Sequence, residues 1–177
     1  MRSQRPAGSS ILLGIVLAAT LLNGCGYGLV GRRSSGLPAH ITSVAIPIFA
    51  NHTLEPEIEK EITSAIRREF IRDGRLKVVG RGEATALLEG KLENYFLDPV
   101  AFDSFDRVTQ YRVVIGVHIS FKDLVKDKVL LDQNFSAREE FTVSSAIVSR
   151  EAAKVTSRQV AAEELAAQLL NLVLERF

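Results

Sequence analysis

Apolar residues along this chain recur with two periods, and the switches between them mark the elements. From Ile41 to Phe49 the pattern alternates, with Val44, Ile46 and Ile48 on one face, and predicts a strand. Pro47 lacks a donor, which places that strand at an edge or near its end. Asn51-His52-Thr53 is turn chemistry, with Thr53 as helix N-cap and Pro56 inside the first turn. Glu55, Glu57 and Glu59 follow where the helix dipole favours negative charge. Ile58, Ile62, Ala65, Ile66 and Phe70 then recur at helical spacing as one core stripe. Arg67, Arg68 and Arg72 fall late in the helix, and Asp73-Gly74 supplies a stop.

Beyond the helix, Leu76 to Val79 reads as a short strand closed by Gly80-Arg81-Gly82. A longer strand runs from Ala84 to about Phe96, with Ala86, Leu88, Gly90, Leu92 and Phe96 on one face and Glu89, Lys91, Glu93 and Tyr95 on the other. After Asp98-Pro99 comes a loop carrying Phe102, Phe105 and Arg107. From Gln110 to Phe121, Tyr111, Val113, Ile115, Val117, Ile119 and Phe121 oppose Arg112, His118, Ser120 and Lys122. A turn at Lys126-Asp127-Lys128 leads to a strand from about Val129 to Phe141, where Leu131, Phe135 and Phe141 oppose Asp132, Asn134, Ser136, Arg138 and Glu140. Hairpin linkage with half-polar alternation argues for antiparallel strands covered on one face.

A final helix opens near Ser149 and runs to about Arg176, with Val155, Ala162, Leu165, Leu169 and Leu172 toward the sheet. Leu170, Val173, Leu174 and Phe177 surround the rest of its end, so either the core wraps that end or a partner does. The fold class is therefore α+β: a two-layer sandwich, two helices on one face of a mainly antiparallel sheet of about four strands.

Composition changes the picture most at the N-terminus. Arg2 and Arg5 precede an apolar run from Ile11 to Leu22. That run is shorter than the roughly 20 residues that span a bilayer, and it reads as a secretory signal. Leu22-Asn23-Gly24-Cys25 closes it and holds the single cysteine. The stretch resembles the lipobox of bacterial lipoproteins. That resemblance implies cleavage before Cys25, an S-diacylglyceryl group on its thiol and an acyl chain on its new amino group. Several acyl chains, at about 0.8 kcal/mol per buried methylene, make a stable anchor. Gly26, where inner-membrane lipoproteins carry Asp, implies transfer to the outer membrane on the periplasmic side. Residues 1–24 are thus read as the signal, 25–38 as a Gly- and Ser-rich tether, and 39–177 as one α+β domain. Arg32-Arg33 on the tether either touch anionic headgroups or are simply solvated.

The processed chain is close to neutral, which gives it no electrostatic footprint for nucleic acid. With one cysteine no intrachain disulfide forms, and no cofactor is expected beyond the covalent lipid on Cys25. His40, His52 and His118 are the only histidines, and no two sit at metal-ligand spacing. His118 lies two residues from Ser120 on a strand, without the turn and oxyanion donors a nucleophile needs. No enzyme is expected. The loop with Phe102, Phe105 and Arg107 either anchors a partner or lipid, or folds back over the end of the core.

The block Val44-Ala45-Ile46-Pro47-Ile48-Phe49, then Asn51-x-Thr53, Glu55-Pro56 and the exit Arg67-Arg68-Glu69-Phe70 to Gly74-Arg75-Leu76 carry a likeness to a known family. With Cys25-Gly26-Tyr27 they make the chain resemble the LptE-type lipopolysaccharide-assembly lipoproteins. The resemblance implies a non-enzymatic outer-membrane lipoprotein that partners the LptD β-barrel. It would plug the lumen, support barrel assembly and help lipopolysaccharide reach the outer leaflet. A lumen is polar, and the sheet face with Lys91, Arg112, His118, Lys122 and Arg138 fits it, although Glu89, Glu93 and Glu140 dilute the positive field. The contact candidates for lipopolysaccharide or barrel are Arg107, Arg112 and Lys122, with Phe102 and Phe105 as loop anchors. The first block also resembles LpoB-like activators of peptidoglycan synthesis, which is the alternative.

Overall fold

The computed structural model describes residues 36–143 and 147–175. The lipobox, Cys25, most of the tether and Phe177 lie outside them. The elements are β1 (Ser43–Ala45), β2 (Ala50–Asn51), α1 (Ile58–Asp73), β3 (Lys77–Val78), β4 (Ala86–Phe102), β5 (Val108–Asp123), β6 (Lys128–Thr142) and α2 (Ile147–Glu175). They form a six-stranded sheet in the order β3-β1-β4-β5-β6, with β2 also on β4. The β4-β5-β6 meander is antiparallel, whereas β1 and β2 run parallel to β4. Both helices pack on the same sheet face, which is the two-layer α+β sandwich expected from the pattern.

Every member of the α1 stripe is buried, and so are Val113, Ile115, Val117, Ile119 and Phe121 of β5. Each large side chain taken out of water contributes about 1.5–3 kcal/mol. The apolar end of α2 is also accounted for: Leu170, Val173 and Leu174 are buried in the core. Leu37 joins them, and Gly36 N–H donates to Leu174 O at 2.8 Å, so packing begins within residues assigned to the tether.

Parity along the strands departs from simple alternation at two places. Ile46 and Phe49 are buried but Ile48 is exposed. Ala45 pairs with Leu87 and Ala50 with Lys91, so the first strand holds one residue more than β4 over this span. The extra residue falls at the donor-less Pro47 and turns the alternation over. On β4 the register slips between Leu92 and Asn94. Tyr95 and Leu97 then pack toward the core, while Phe96, assigned to the core by the pattern, is 50 % exposed on the opposite face. The strand also continues past Pro99 to Phe102, because β1 and β2 leave the outer edge of this segment unpaired and need no donor there.

The interrupted first strand is held from above by α1. Arg67 Nε donates to Ile46 O at 2.8 Å, and Thr63 Oγ1 accepts from Phe49 N–H at 3.0 Å. Arg67 therefore satisfies a strand carbonyl instead of the helix dipole. Thr53 does not cap the helix. Asn51 Oδ1 accepts its N–H at 2.9 Å and its hydroxyl at 2.8 Å, which folds the approach, and α1 begins later with Glu57 at N-cap in a left-handed conformation. Pro56 precedes the helix, and Glu59 and Glu61 are the acids of its first turn. Gly74 does close it, at φ 74° with its N–H on Phe70 O. Val155 is 45 % exposed because the inward stripe in that part of α2 runs through Ala153, Ser157 and Ala161. Arg158 there donates to Glu55 at 3.0 Å and lies 2.8 Å from Glu61.

Phe49 lies flat against the backbone of Gly90, where an added Cβ would sit 2.3 Å from its ring. At the far end of β5, Asp123 is buried and accepts from Val125 and Lys126 N–H, with His40 Nε2 at 2.7 Å. Burial pushes its carboxyl up, but His40 and the two amides more than offset this and hold it below the usual carboxylate range.

Gly90→Ala is expected to lower the unfolding free energy by about 1–3 kcal/mol in chemical denaturation, through overpacking against Phe49. Asp123→Asn is expected to cost about 1–3 kcal/mol at pH 7. A depressed carboxylate stabilises above its unfolded pKa of about 3.9 and loses that contribution as pH falls through the folded value. The gap between native and Asp123→Asn unfolding curves should therefore narrow below about pH 4.

Candidate functional surface

Covering one sheet face with helices leaves the other open, and its side chains form cross-strand rows. Glu89, Ser120 and Asp132 make one row; Lys91, His118 and Asn134 the next. After the slip at Leu92/Asn94 come Asn94, Gly116 and Ser136, then Phe96, Val114 and Arg138, then Asp98, Arg112 and Glu140. All five basic positions expected on this face, Lys91, Arg112, His118, Lys122 and Arg138, stand on it.

Most of its charge is paired internally. Arg112 donates to Glu140 Oε1 from Nε at 3.0 Å and from Nη2 at 2.6 Å, with Asp98 at 3.9 Å. Lys122 meets Asp127 at 2.5 Å across the β5–β6 turn, and Arg81 meets Glu89 at 3.5 Å. His118 lies between Asn134 at 2.7 Å and Asp132 at 3.2 Å. Lys91 and Arg138 are exposed and have no ion pair among the described residues. They are the cations most available to an incoming anion. Pairs this exposed are individually worth about 0–1 kcal/mol and exchange readily.

The structure divides the candidate contact residues. Arg112 and Lys122 share a strand and a face but stand ten residues apart, about 34 Å at 3.4 Å per residue. No single headgroup bridges them. Phe102, Phe105 and Arg107 gather at the β4–β5 tip beyond Arg112. Neither ring folds back onto the core: Phe102 is 56 % and Phe105 76 % exposed. Asp103 organises this tip. Its Oδ1 accepts from Phe105 N–H at 2.8 Å and Arg107 N–H at 3.0 Å, and its Oδ2 from Arg107 Nε at 2.8 Å. The Arg107 and Phe105 amides, then the Arg107 guanidinium, keep the Asp103 carboxyl below its ordinary range against the effect of burial. Arg107 also sits over the Phe105 ring, 5.2 Å from its centroid.

Beside Lys91 the open face has a cleft of about 490 Å³, lined on one side by Pro47 and the exposed Ile48 and on the other by Lys91, His118, Ser120 and Asp132. His118 and Ser120 point the same way here but in successive rows, with His118 turned to Asn134 and Asp132. Among the described residues no group of histidines and carboxylates is placed to hold a metal, and no helix is long and apolar enough to cross a membrane. Phe96 was missed as a surface residue. The adjacent polar pair Glu93-Asn94 inside an alternating strand was the available signal for the slip that exposes Phe96.

These features define a class first: a two-layer α+β scaffold whose uncovered surface is a broad, polar, mixed-sign sheet face with an aromatic tip. Residues 41–177 match the LptE lipopolysaccharide-assembly family model, and the chain belongs to that family of non-enzymatic lipoproteins. Among curated protein sequences none matches the chain significantly. Among solved structures it is similar to lipoprotein B of Nitrosomonas europaea, at 19 % identity and TM-score 0.57 over 84 % of this chain and 90 % of that one. It is also similar to the rare lipoprotein B of Shewanella oneidensis, at 11 % identity and TM-score 0.51 over 73 % and 92 %. A third likeness is to PelC of Paraburkholderia phytofirmans, a dodecamer, at 19 % identity and TM-score 0.51 over 81 % and 96 %. At these identities the three likenesses speak for the fold.

Asp103→Ala is expected to speed amide exchange at Phe105 and Arg107 in particular, measured residue by residue by NMR, while core amides keep their protection.

Proposed function

We propose that this protein is a lipid-anchored outer-membrane lipoprotein that partners an LptD-type β-barrel. It acts as plug and assembly factor while lipopolysaccharide is delivered to the outer leaflet. The observation that carries the reading is the family match across the packed domain, together with an open sheet face suited to a polar lumen. A wall-lining surface has to be long, mixed in sign and nearly satisfied within itself. The rows from Glu89 to Glu140 have that character, and a compact binding pocket would not.

In this reading Phe102 and Phe105 anchor the β4–β5 tip against the partner or lipid, with Arg107 beside them. Arg112 and Lys122 contact the wall or lipid phosphates at opposite ends of the face, and Lys91 and Arg138 supply the unpaired cations between. The anchor is the acylated Cys25 after removal of residues 1–24, with the chain on the periplasmic side of the outer membrane.

Purification of the tagged native protein from outer-membrane extract is expected to bring down a large β-barrel. Recovery of a penicillin-binding protein instead would favour the peptidoglycan-activator alternative. A folded Arg112→Glu, Lys122→Glu variant is expected to impair lipopolysaccharide export; normal export would remove the charge contribution. Phe102→Ser with Phe105→Ser should leave stability within about 0.5 kcal/mol, as expected for exposed sites, yet weaken barrel recovery. Labelling with a radioactive fatty acid should tag the native chain and leave Cys25→Ala untagged.

A further inference from the structure

The sheet ends on β6, which pairs with β5 and with no other strand among the described residues. Its register with β5 is unbroken from Leu131 opposite Phe121 to Thr142 opposite Gln110. No proline, glycine or bulge interrupts that stretch. The outer edge of β4 beyond β2 is different: it carries Pro99 and register slips at Leu92/Asn94 and Pro99/Ala101. Those are devices that keep a foreign strand from pairing. Between Leu131 and Thr142 the edge of β6 has none of them, so a regular row of outward amides and carbonyls stays open.

The side chains of β6 carry information about what fits there. Asp132 and Arg138 stand on the open face, three positions either side of Phe135, which points to the helix side and is only partly buried. Arg138 is exposed and without an ion-pair partner among the described residues, and the Asp132 carboxylate is 57 % exposed. A strand with an acid and a base placed symmetrically about its centre is complementary to itself when it runs antiparallel.

We infer that β6 pairs with β6 of a second copy of this chain, antiparallel about a two-fold axis at Phe135, making one continuous sheet across two protomers. In that register Asp132 lies opposite Arg138 twice and Phe135 opposite Phe135. Neighbouring registers are worse. One sets Asp132 against Glu140, and the other sets Arg138 against Leu130 and Asp132 against Ser136. A slip by an odd number of residues turns each helix-side residue against an open-face one. The pairing needs only a strand and its charges, so it stands apart from the lipopolysaccharide reading.

The test uses the chain from residue 25 with Cys25→Ser, which excludes association through lipid or the native thiol. Sedimentation analysis at low salt should show a monomer–dimer equilibrium. Asp132→Arg and Arg138→Asp should each raise the dissociation constant by about tenfold, and the two together should return it near the starting value. As a second readout, Asp132→Cys chains mixed with Arg138→Cys chains should form a disulfide-linked dimer, since directly opposed strand positions meet the distance a disulfide requires. Asp132→Cys chains alone should not. A monomer at every concentration, failure of the charge swap to restore pairing, or equal crosslinking of Asp132→Cys with itself would each overturn the inference.

Discussion

The contact on which this architecture depends is the Phe49 ring against the bare backbone of Gly90. Two strands and a helix meet there. The first strand can lie beside β4, break at Pro47 and resume only if an aromatic ring fits where a Cβ would otherwise be. Arg67 and Thr63 of α1 then satisfy the groups that the break leaves without sheet partners, Ile46 O and Phe49 N–H. A buried carbonyl or amide left unmet would cost about 1–3 kcal/mol each, so the break and the helix above it stabilise one another. The position of α1, and with it half of the core, follows from this junction.

From that junction the division of labour between the sheet faces is set. Two helices close one face over a continuous core reaching from Leu37 to Leu174. The other face is free to carry charge, and it carries it in rows where acid and base neutralise each other across strands. Such a face is neither sticky nor strongly charged. That suits a surface that must lie against a polar wall without binding everything it meets. Its two exceptions are the exposed aromatic tip and the unpaired Lys91 and Arg138. The tip is held by one carboxylate, Asp103, so its rings are presented in a fixed direction without core contact.

His40 and Asp123 mark the other end of the molecule. The described chain enters the core through Leu37 and is held by His40 on a buried carboxylate. The entry point is thus fixed by a hydrogen-bonded pair at the end of β5, opposite in the sheet to the aromatic tip.

Read alone, the sequence determined the things that depend on period and local chemistry. The two helices, the stripe of α1, the antiparallel meander, the core face of β5 and the Gly74 stop all follow from spacing along a single element, and all are present. The polar face and its basic residues were legible for the same reason, since a strand that alternates strictly has only one way to face. What only the tertiary structure decided lies where two elements must agree. The slips at Pro47 and at Glu93 reverse parity because β4 has to match β1, β2 and β5 at once, and this put Ile48 and Phe96 outside. Arg67 bonds a strand carbonyl and not its own helix end because that carbonyl lies within reach only after packing. The pairing of Arg112 with Glu140 likewise comes from cross-strand register, which no single segment encodes.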